Sequence, residues 1–397
     1  MSASTLNSIR LSTLALGVAL ALPGAALAGD VSVQLDAGAG FSVKDNTGVI
    51  ERLRVDEATG NVSRNGALFV HTTGFSNLFV GPAAGNPATT GVGRNSAFGQ
   101  NALGSNTSGY ANTAVGYNAL RANTSGFNNA AVGYGALRNS VGFRNSAVGS
   151  FALFSNVVGG ANSAVGYRAL RANTGNVNAA FGASALTSNT AGYGNAAVGY
   201  EALRNNTSGH RNVAIGDGAG LNQTTGNDNI YLANQGTAAE SGRIRIGTSP
   251  THTQTFVAGI RGVTTFNADA IPVLIDSVGQ LGTASSSRSV KKEIRDMGDA
   301  TDRLLELRPV TFRYQQQQTL PGGREVPPEY GLIAEEVAEV LPDLVVYDES
   351  GRPFTVKYHE MPPMLLNEMQ KQQKRIEAQE REIAALTARL AQLEASR

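Results

Sequence analysis

The stretch Asn112–Leu120, NTAVGYNAL, recurs in altered form through the middle of the chain. NSAFGQNAL starts at Asn95, NAAVGYGAL at Asn129, NSAVGSFAL at Asn145 and NSAVGYRAL at Asn162. NAAFGASAL starts at Asn178, NAAVGYEAL at Asn195 and NVAIGDGAG at Asn212. Successive copies begin 16 or 17 residues apart, and weaker ones flank the array, NLFVGPAAG from Asn77 and NIYLANQGT from Asn229. Self-similarity at a fixed period marks a repeat architecture. Each unit is a short extended piece followed by a turn rich in Asn, Thr, Ser and Gly. Helical-hairpin repeats need roughly 33 residues or more, so a unit this short reads as one coil of a β-solenoid.

Working outward from that unit, the Val, Phe or Ile before the glycine and the Ala-Leu pair after it are expected to stack into the core. The glycine is expected at a tight bend where a Cβ would be costly. The leading asparagines are expected to form a ladder, each amide bonding the next rung. A core this thin gains stability by stacking many rungs and by packing on other chains, which favours a homo-oligomeric fibre.

Composition agrees. Of 397 residues 47 are glycine, only 16% are charged, and cysteine and tryptophan are absent, a profile of a turn-rich repetitive fold rather than an aromatic-rich enzyme core. Without cysteine there are no disulfides and no thiolate chemistry. The net charge of +1 gives no reason to expect nucleic acid or an anionic membrane as partner. His71, His210 and His252 are too scattered to propose as metal ligands, and no cofactor is implied.

Residues 1–28 stand apart. Arg10, the apolar run LSTLALGVALALPG and the terminal Ala26-Leu27-Ala28 describe a secretory signal peptide, with the mature chain starting near Gly29. The run is too short for a good membrane span, and the mature protein is expected to be secreted or at the cell surface with no transmembrane segment. Residues 29–76 read as short strands with turns at Asn46-Thr47-Gly48 and Thr59-Gly60-Asn61, a small β-cap on the end rung. The solenoid is assigned to 77–236.

Two columns recur on the repeats. Arg121, Arg138, Arg171 and Arg204 follow the Ala-Leu pair. They read either as a basic strip for anionic glycans or as a solvated edge that blocks stray strand pairing, the common use of such charges. Tyr117, Tyr134, Tyr167 and Tyr200 read as chain–chain packing or, less simply, as stacking surfaces for sugars.

After Gly236 the composition shifts. RIRIGT, TFVAGIRGV and IPVLIDSVGQLGTAS read as strands of a β-rich connector, 237–284. SVKKEIRDMGDATDRLLELRPVTFRY reads as a helix and a strand. YGLIAEEVAEVLPDLVVYDESGRPFTVKYHEM reads as a short amphipathic helix stopped near Pro342, then a hairpin. Residues 361–397 form a helix with a heptad: Met369, Ile376, Ile383 and Leu390 at a, Gln372, Gln379, Leu386 and Leu393 at d. The 3-4 spacing predicts a coiled coil.

The repeats resemble the head repeats of trimeric autotransporter adhesins and the shaft repeats of phage tail fibres, although the membrane barrel of the former is missing. The run SSRSVKKEI, LRPVTFRY, YGLIAEEVAEVLP and terminal coiled coil resembles the S74 intramolecular chaperone domain of phage tailspikes, including endosialidases, over 285–360 plus the helix. The resemblance implies a domain that trimerises, templates folding of the β-rich fibre before it, and cuts itself off with a Ser-Lys dyad. Carried across, Ser286 is the nucleophile, Lys291 the base, and the bond between Ser285 and Ser286 is cut. Cleaving members often have Asp after the serine; here it is Ser287. Lys292 is a second candidate base and His359 a possible assistant, while a serine N-cap on a helix with exposed lysines is the plainer reading of the stretch.

The chain is thus expected to be mainly β and trimeric: an exported fibre with an N-terminal β-cap, a C-terminal α+β chaperone domain and a terminal coiled coil. Its expected partners are itself and host or surface glycans, with a single self-cleavage as its only expected chemistry. The alternative is a surface adhesin whose trimerisation domain stays attached. A carbohydrate-degrading tailspike would need paired carboxylates, and from Asn77 to Gly236 the acidic residues are only Glu201, Asp217 and Asp228.

Overall fold

The structure, a computed structural model, describes residues 8–11, 32–35, 40–44, 51–90, 93–315 and 325–396. The expected signal peptide lies outside these residues except for Ser8–Leu11, a strand paired in parallel with Ser32–Leu35. The expected turn at Asn46–Gly48 also lies outside them. The chain divides into two compact units, Met1–Val257 and Ala258–Arg397.

The first unit is built on one 15-stranded sheet. It opens as an antiparallel meander, Phe41–Lys44, Glu51–Val55, Val62–Arg64 and Ala67–His71. Ala67–His71 pairs antiparallel with Leu78–Val80. From there every strand is three residues long and parallel to the last, through Ile244–Ile246 in the connector. This is a β-solenoid. Ala97, Ala114, Ala131, Ala147, Ala164, Ala180, Ala197 and Ala214 stand in register down the stack. The alternation between 16 and 17 residues never disturbs that register, because the shorter rungs lose their residue in a turn, at Ser140–Gly142 and Asn173–Gly175.

One expectation about the core is reversed. The Ala-Leu pairs are fully buried, but the Val, Phe or Ile before each glycine points outward. From Phe98 to Ile215 these side chains are 37–47% exposed, while the alanine before each is 0% exposed. Alternation decides this: in a three-residue strand the middle side chain faces in and its neighbours face out. The interior is therefore alanine against Ala-Leu.

The asparagine ladder is present and doubled. Asn112 donates from Nδ2 to Asn95 Oδ1 at 3.1 Å and to Gly126 O at 2.8 Å, and its backbone N–H donates to Asn95 Oδ1 at 3.0 Å. The pattern repeats through Asn229. A second column links Asn123 to Asn106, is interrupted at Ser140, and resumes from Asn156 through Asn206. Where Ser140 interrupts it, Asn123 Oδ1 is buried without a partner. Buried amides without partners cost about 1–3 kcal/mol each, so the unbroken ladders hold both the rungs and their spacing.

Two glycine columns explain the composition. At Gly116, φ is +127° and a Cβ would sit 2.5 Å from Gly133 O. At Gly126 a Cβ would sit 2.3 Å from Gly142 O. Both obstacles are backbone of the next rung, so no side chain can move aside.

The ends differ from the middle by a paired exchange. Phe79 and Tyr231 occupy the inward alanine position at the first and tenth parallel strands, and both are 0% exposed. Small residues make room: a Cβ on Gly85, which stands where other rungs have leucine, would lie 2.3 Å from the Phe79 ring. Gly220, again in place of leucine, and Gly236, in place of alanine, would place a Cβ at 2.9 and 2.6 Å from the Tyr231 ring. Each end of the lumen is thus filled by one aromatic ring.

The second unit has a small core of Leu304, Val337, Leu344, Val345 and Val356, with Leu307, Leu332, Met361 and Met364 against it. Helix α1 is Ala334–Val340, followed at Pro342 by a 3₁₀ turn and a hairpin, Val345–Tyr347 with Pro353–Val356. Helix α2 is Met361–Ala395. The helix expected after Ser286 is instead a 3₁₀ turn, Arg288–Val290, and a separate 3₁₀ stretch, Gly298–Glu306. The cause is lack of support. Residues 291–297 find no partner surface to cover an apolar face, and an isolated short helix is marginal in water; Gly298, at φ +50°, opens the second stretch.

Candidate functional site

Ser286 and Lys291 are both exposed, and no hydrogen bond joins them. Capping falls to the next serine. Ser287 Oγ accepts from Ser289 N–H at 3.3 Å and pairs with Ser289 Oγ at 2.8 Å. Lys291 ends the turn in an extended conformation, φ −108° and ψ 143°. His359 lies in a 3₁₀ turn, Tyr358–Glu360, with Nε2 3.8 Å from Glu360 Oε1 and half exposed.

The surroundings of the dyad are unusual. From 251 to 300 every residue except Leu274 is exposed. Among them are Phe256 at 89%, Phe266 at 103% and Val278 at 83%. A laid-out segment this rich in apolar side chains leaves large surface in water at about 25 cal/mol per Å², the kind of patch that marks an interaction surface.

Helix α2 carries a second such surface. Met369, Ile376, Ile383, Leu386, Leu390 and Leu393 are 48–66% exposed, all at heptad positions. The first turns of the helix are anchored by a polar cluster that the sequence did not reveal. Glu368, 7% exposed, accepts from Thr301 Oγ1 and pairs with Lys371. Lys371 also pairs with Asp302, and Asn367 Nδ2 donates to Gly298 O at 2.9 Å. Lys371 and the Thr301 hydroxyl hold the Glu368 carboxyl below its ordinary range, and Asp302 and Glu368 raise Lys371. These contacts between 298–302 and the helix join residues 67–69 positions apart in the chain, a separation that leaves no periodic signal.

On the solenoid, the outward Phe98–Ile215 column is a continuous apolar stripe. Beside it, Tyr117 and Tyr134 stack at 5.1 Å with planes 19° apart, and Phe151 sits edge-on to Tyr134 at 5.2 Å and to Tyr167 at 6.3 Å. The arginine column does not guard a strand edge. Arg121 O accepts from Ser105 N–H at 3.0 Å, Arg138 O from Ala122 N–H at 2.9 Å and Arg171 O from Ser155 N–H at 2.9 Å. The backbone there is paired between rungs, so a charge at these positions protects no free edge.

The family model of Peptidase S74, chaperone of endosialidase, matches residues 286–346. The matched span begins at Ser286 and takes in the 3₁₀ segment, the strand Val310–Phe312, α1 and the first hairpin strand. No curated protein and no solved structure matches the chain. Among the described residues no helix is long and apolar enough to cross a membrane. The chain therefore carries an S74 chaperone module behind a β-solenoid.

Proposed function

We propose that this is an exported homotrimeric fibre whose S74 module is an intramolecular chaperone for assembly and cuts itself free between Ser285 and Ser286. The observation that carries the reading is the S74 match set beside three uncovered apolar surfaces: the solenoid stripe, the segment 251–300 and the heptad face of α2. The stripe is roughly 34 Å long at one rung per 4.8 Å, enough for copies to pack along it. The heptad face supports a coiled coil that aligns chains before the solenoids pair. Folding dominated by non-local contacts is slow, and alignment of the chains shortens that search.

The proposed cut runs as follows. Ser286 Oγ attacks the Ser285 carbonyl carbon while Lys291 Nζ accepts the hydroxyl proton and passes it to the leaving nitrogen of Ser286. Water then hydrolyses the resulting ester. A serine hydroxyl needs such a base, and a lysine serves only where burial favours the neutral amine. The dyad is exposed in the single chain, so covering of segment 251–300 by other copies is the step that switches it on. Cleavage would then report completed assembly.

A second reading keeps the module attached as a permanent trimerisation domain of a surface adhesin. It is favoured by Ser287, which stands where the cleaving motif has Asp and serves as the cap. Intact mass of residues 29–397 beside Ser286→Ala separates the two. A fragment starting at Ser286, absent from the variant, is the expected outcome; an uncut chain in both removes the self-cleavage and leaves the adhesin. Light scattering on the same samples tests the trimer, and a monomer would sink both readings. In either, surface glycans are the proposed partner beyond the chain itself.

A further inference from the structure

From Ala58 to Tyr200 the chain contains seven arginines and not one acidic residue, in a protein whose net charge is only +1. Three of the seven stand in a single column. Arg121 and Arg138 are one rung apart, and Arg171 follows two rungs on, at roughly 4.8 Å per rung. The intervening rung places Phe154 in the same column. Arg138 and Arg171 lie over its ring from either side, 5.4 and 5.9 Å from the centroid. None of the three arginines has a carboxylate partner among the described residues.

The last rungs supply the comparison within the molecule. There Arg204, in the same column, pairs with Glu201 at 3.0 Å, and Arg211 pairs with Asp228 at 2.6 and 2.9 Å. In these last rungs each of the two arginines meets an opposite charge. In the middle rungs the solenoid stacks like charges at strand spacing, which is unfavourable without a counter-charge, and the paired backbone shows that they guard no edge.

We infer that the column Arg121–Arg138–Phe154–Arg171 is a binding track for a linear carboxylated polysaccharide lying along the solenoid axis. This deepens the glycan reading above and is independent of self-cleavage. A uronate chain offers one carboxylate per sugar, a charge interval close to one rung. The planar guanidinium fork matches a carboxylate with two parallel hydrogen bonds. Phe154 gives the apolar side of a sugar ring a surface at the rung that lacks an arginine.

The test is calorimetric titration of residues 29–397 with polygalacturonate, neutral dextran and double-stranded DNA, at about 50 and about 200 mM salt. Arg121→Gln/Arg138→Gln/Arg171→Gln is compared with the control Arg204→Gln/Arg211→Gln. The expected result is saturable binding of polygalacturonate that weakens with salt, no binding of dextran, and loss of about tenfold or more in the triple variant but not in the control. Phe154→Ala, which keeps every charge, is expected to weaken binding by several-fold. The inference is overturned if polygalacturonate fails to bind, if the triple variant binds as the parent does, or if DNA binds as tightly as polygalacturonate. Light scattering on the titrated samples reports assembly, so a lost trimer cannot be mistaken for a lost track.

Discussion

Leu137 is a bulky residue held at φ +52°, and its equivalents from Leu103 to Leu203 lie at 49–53°. A left-handed conformation costs an L-residue roughly 1–2 kcal/mol; complete burial offsets it. At the ends, Gly85 and Gly220 take the same conformation, φ +64° and +65°, without the side chain. An unusual order of stabilities follows. Leu137→Ala removes the packed side chain and keeps the strain, whereas Leu137→Gly removes both. In ordinary sites glycine is the worse replacement; here Leu137→Gly is expected to be as stable as Leu137→Ala or more so, both about 2–5 kcal/mol below the parent in denaturant melts. The usual order would show that the corner is unstrained. His71, 2% exposed, is tied by Nε2–H to Ala84 O at 2.7 Å and by Nδ1 to the Thr73 hydroxyl at 2.8 Å, with Phe79 against its ring. Burial lowers its pKa. The folded cap thus binds fewer protons than the unfolded chain, so its stability is complete above about pH 6.5 and falls as pH drops below that value. The melting temperature is expected to fall by a few degrees between pH 7 and the acid side of this window, about pH 5, but to stay level over it in His71→Gln; parallel falls would exclude His71 as the cause.

At the scale of the element, the period, the asparagine ladder and the buried Ala-Leu pair were legible because each rung repeats the same local geometry. The facing of the strand was not. Three residues are too few for alternation to register as a pattern, and hydrophobicity alone assigned valine to the core and left the inward alanine unremarked. The aromatic plugs did leave a mark: Phe79 and Tyr231 stand at alanine positions and are matched by glycine at leucine or alanine positions. The outward stripe makes its own prediction. Val132→Lys with Val165→Lys places two charges on the stripe without touching the interior. If copies pack along the stripe as proposed, this variant is expected to run as a monomer in light scattering while keeping the β signal in circular dichroism, and an unchanged assembly state would put the interface elsewhere. In the second unit, α1 and α2 could be read from apolar spacing and Pro342. The 3₁₀ segment could not, since a helix reads in sequence whether or not a partner is present to support it.

Taken whole, the molecule divides its labour by chemistry. The solenoid satisfies most of its ladder amides internally, Asn123 Oδ1 being an exception, and leaves apolar and basic columns outside. The exposed segment 251–300 and the heptad face of α2, which lie largely on either side of the S74-matched span, are left uncovered. The proposed pair Ser286 and Lys291 was legible only through the S74 resemblance, and in the single chain both side chains stand exposed and unjoined. The lumen plugs bear on heredity. Because the rungs between Phe79 and Tyr231 share one cross-section and one register, recombination between repeats can add or remove whole rungs without altering either end. Fibre length is then a quantity that a lineage can change in single steps, each of about 17 codons, while every intermediate still folds.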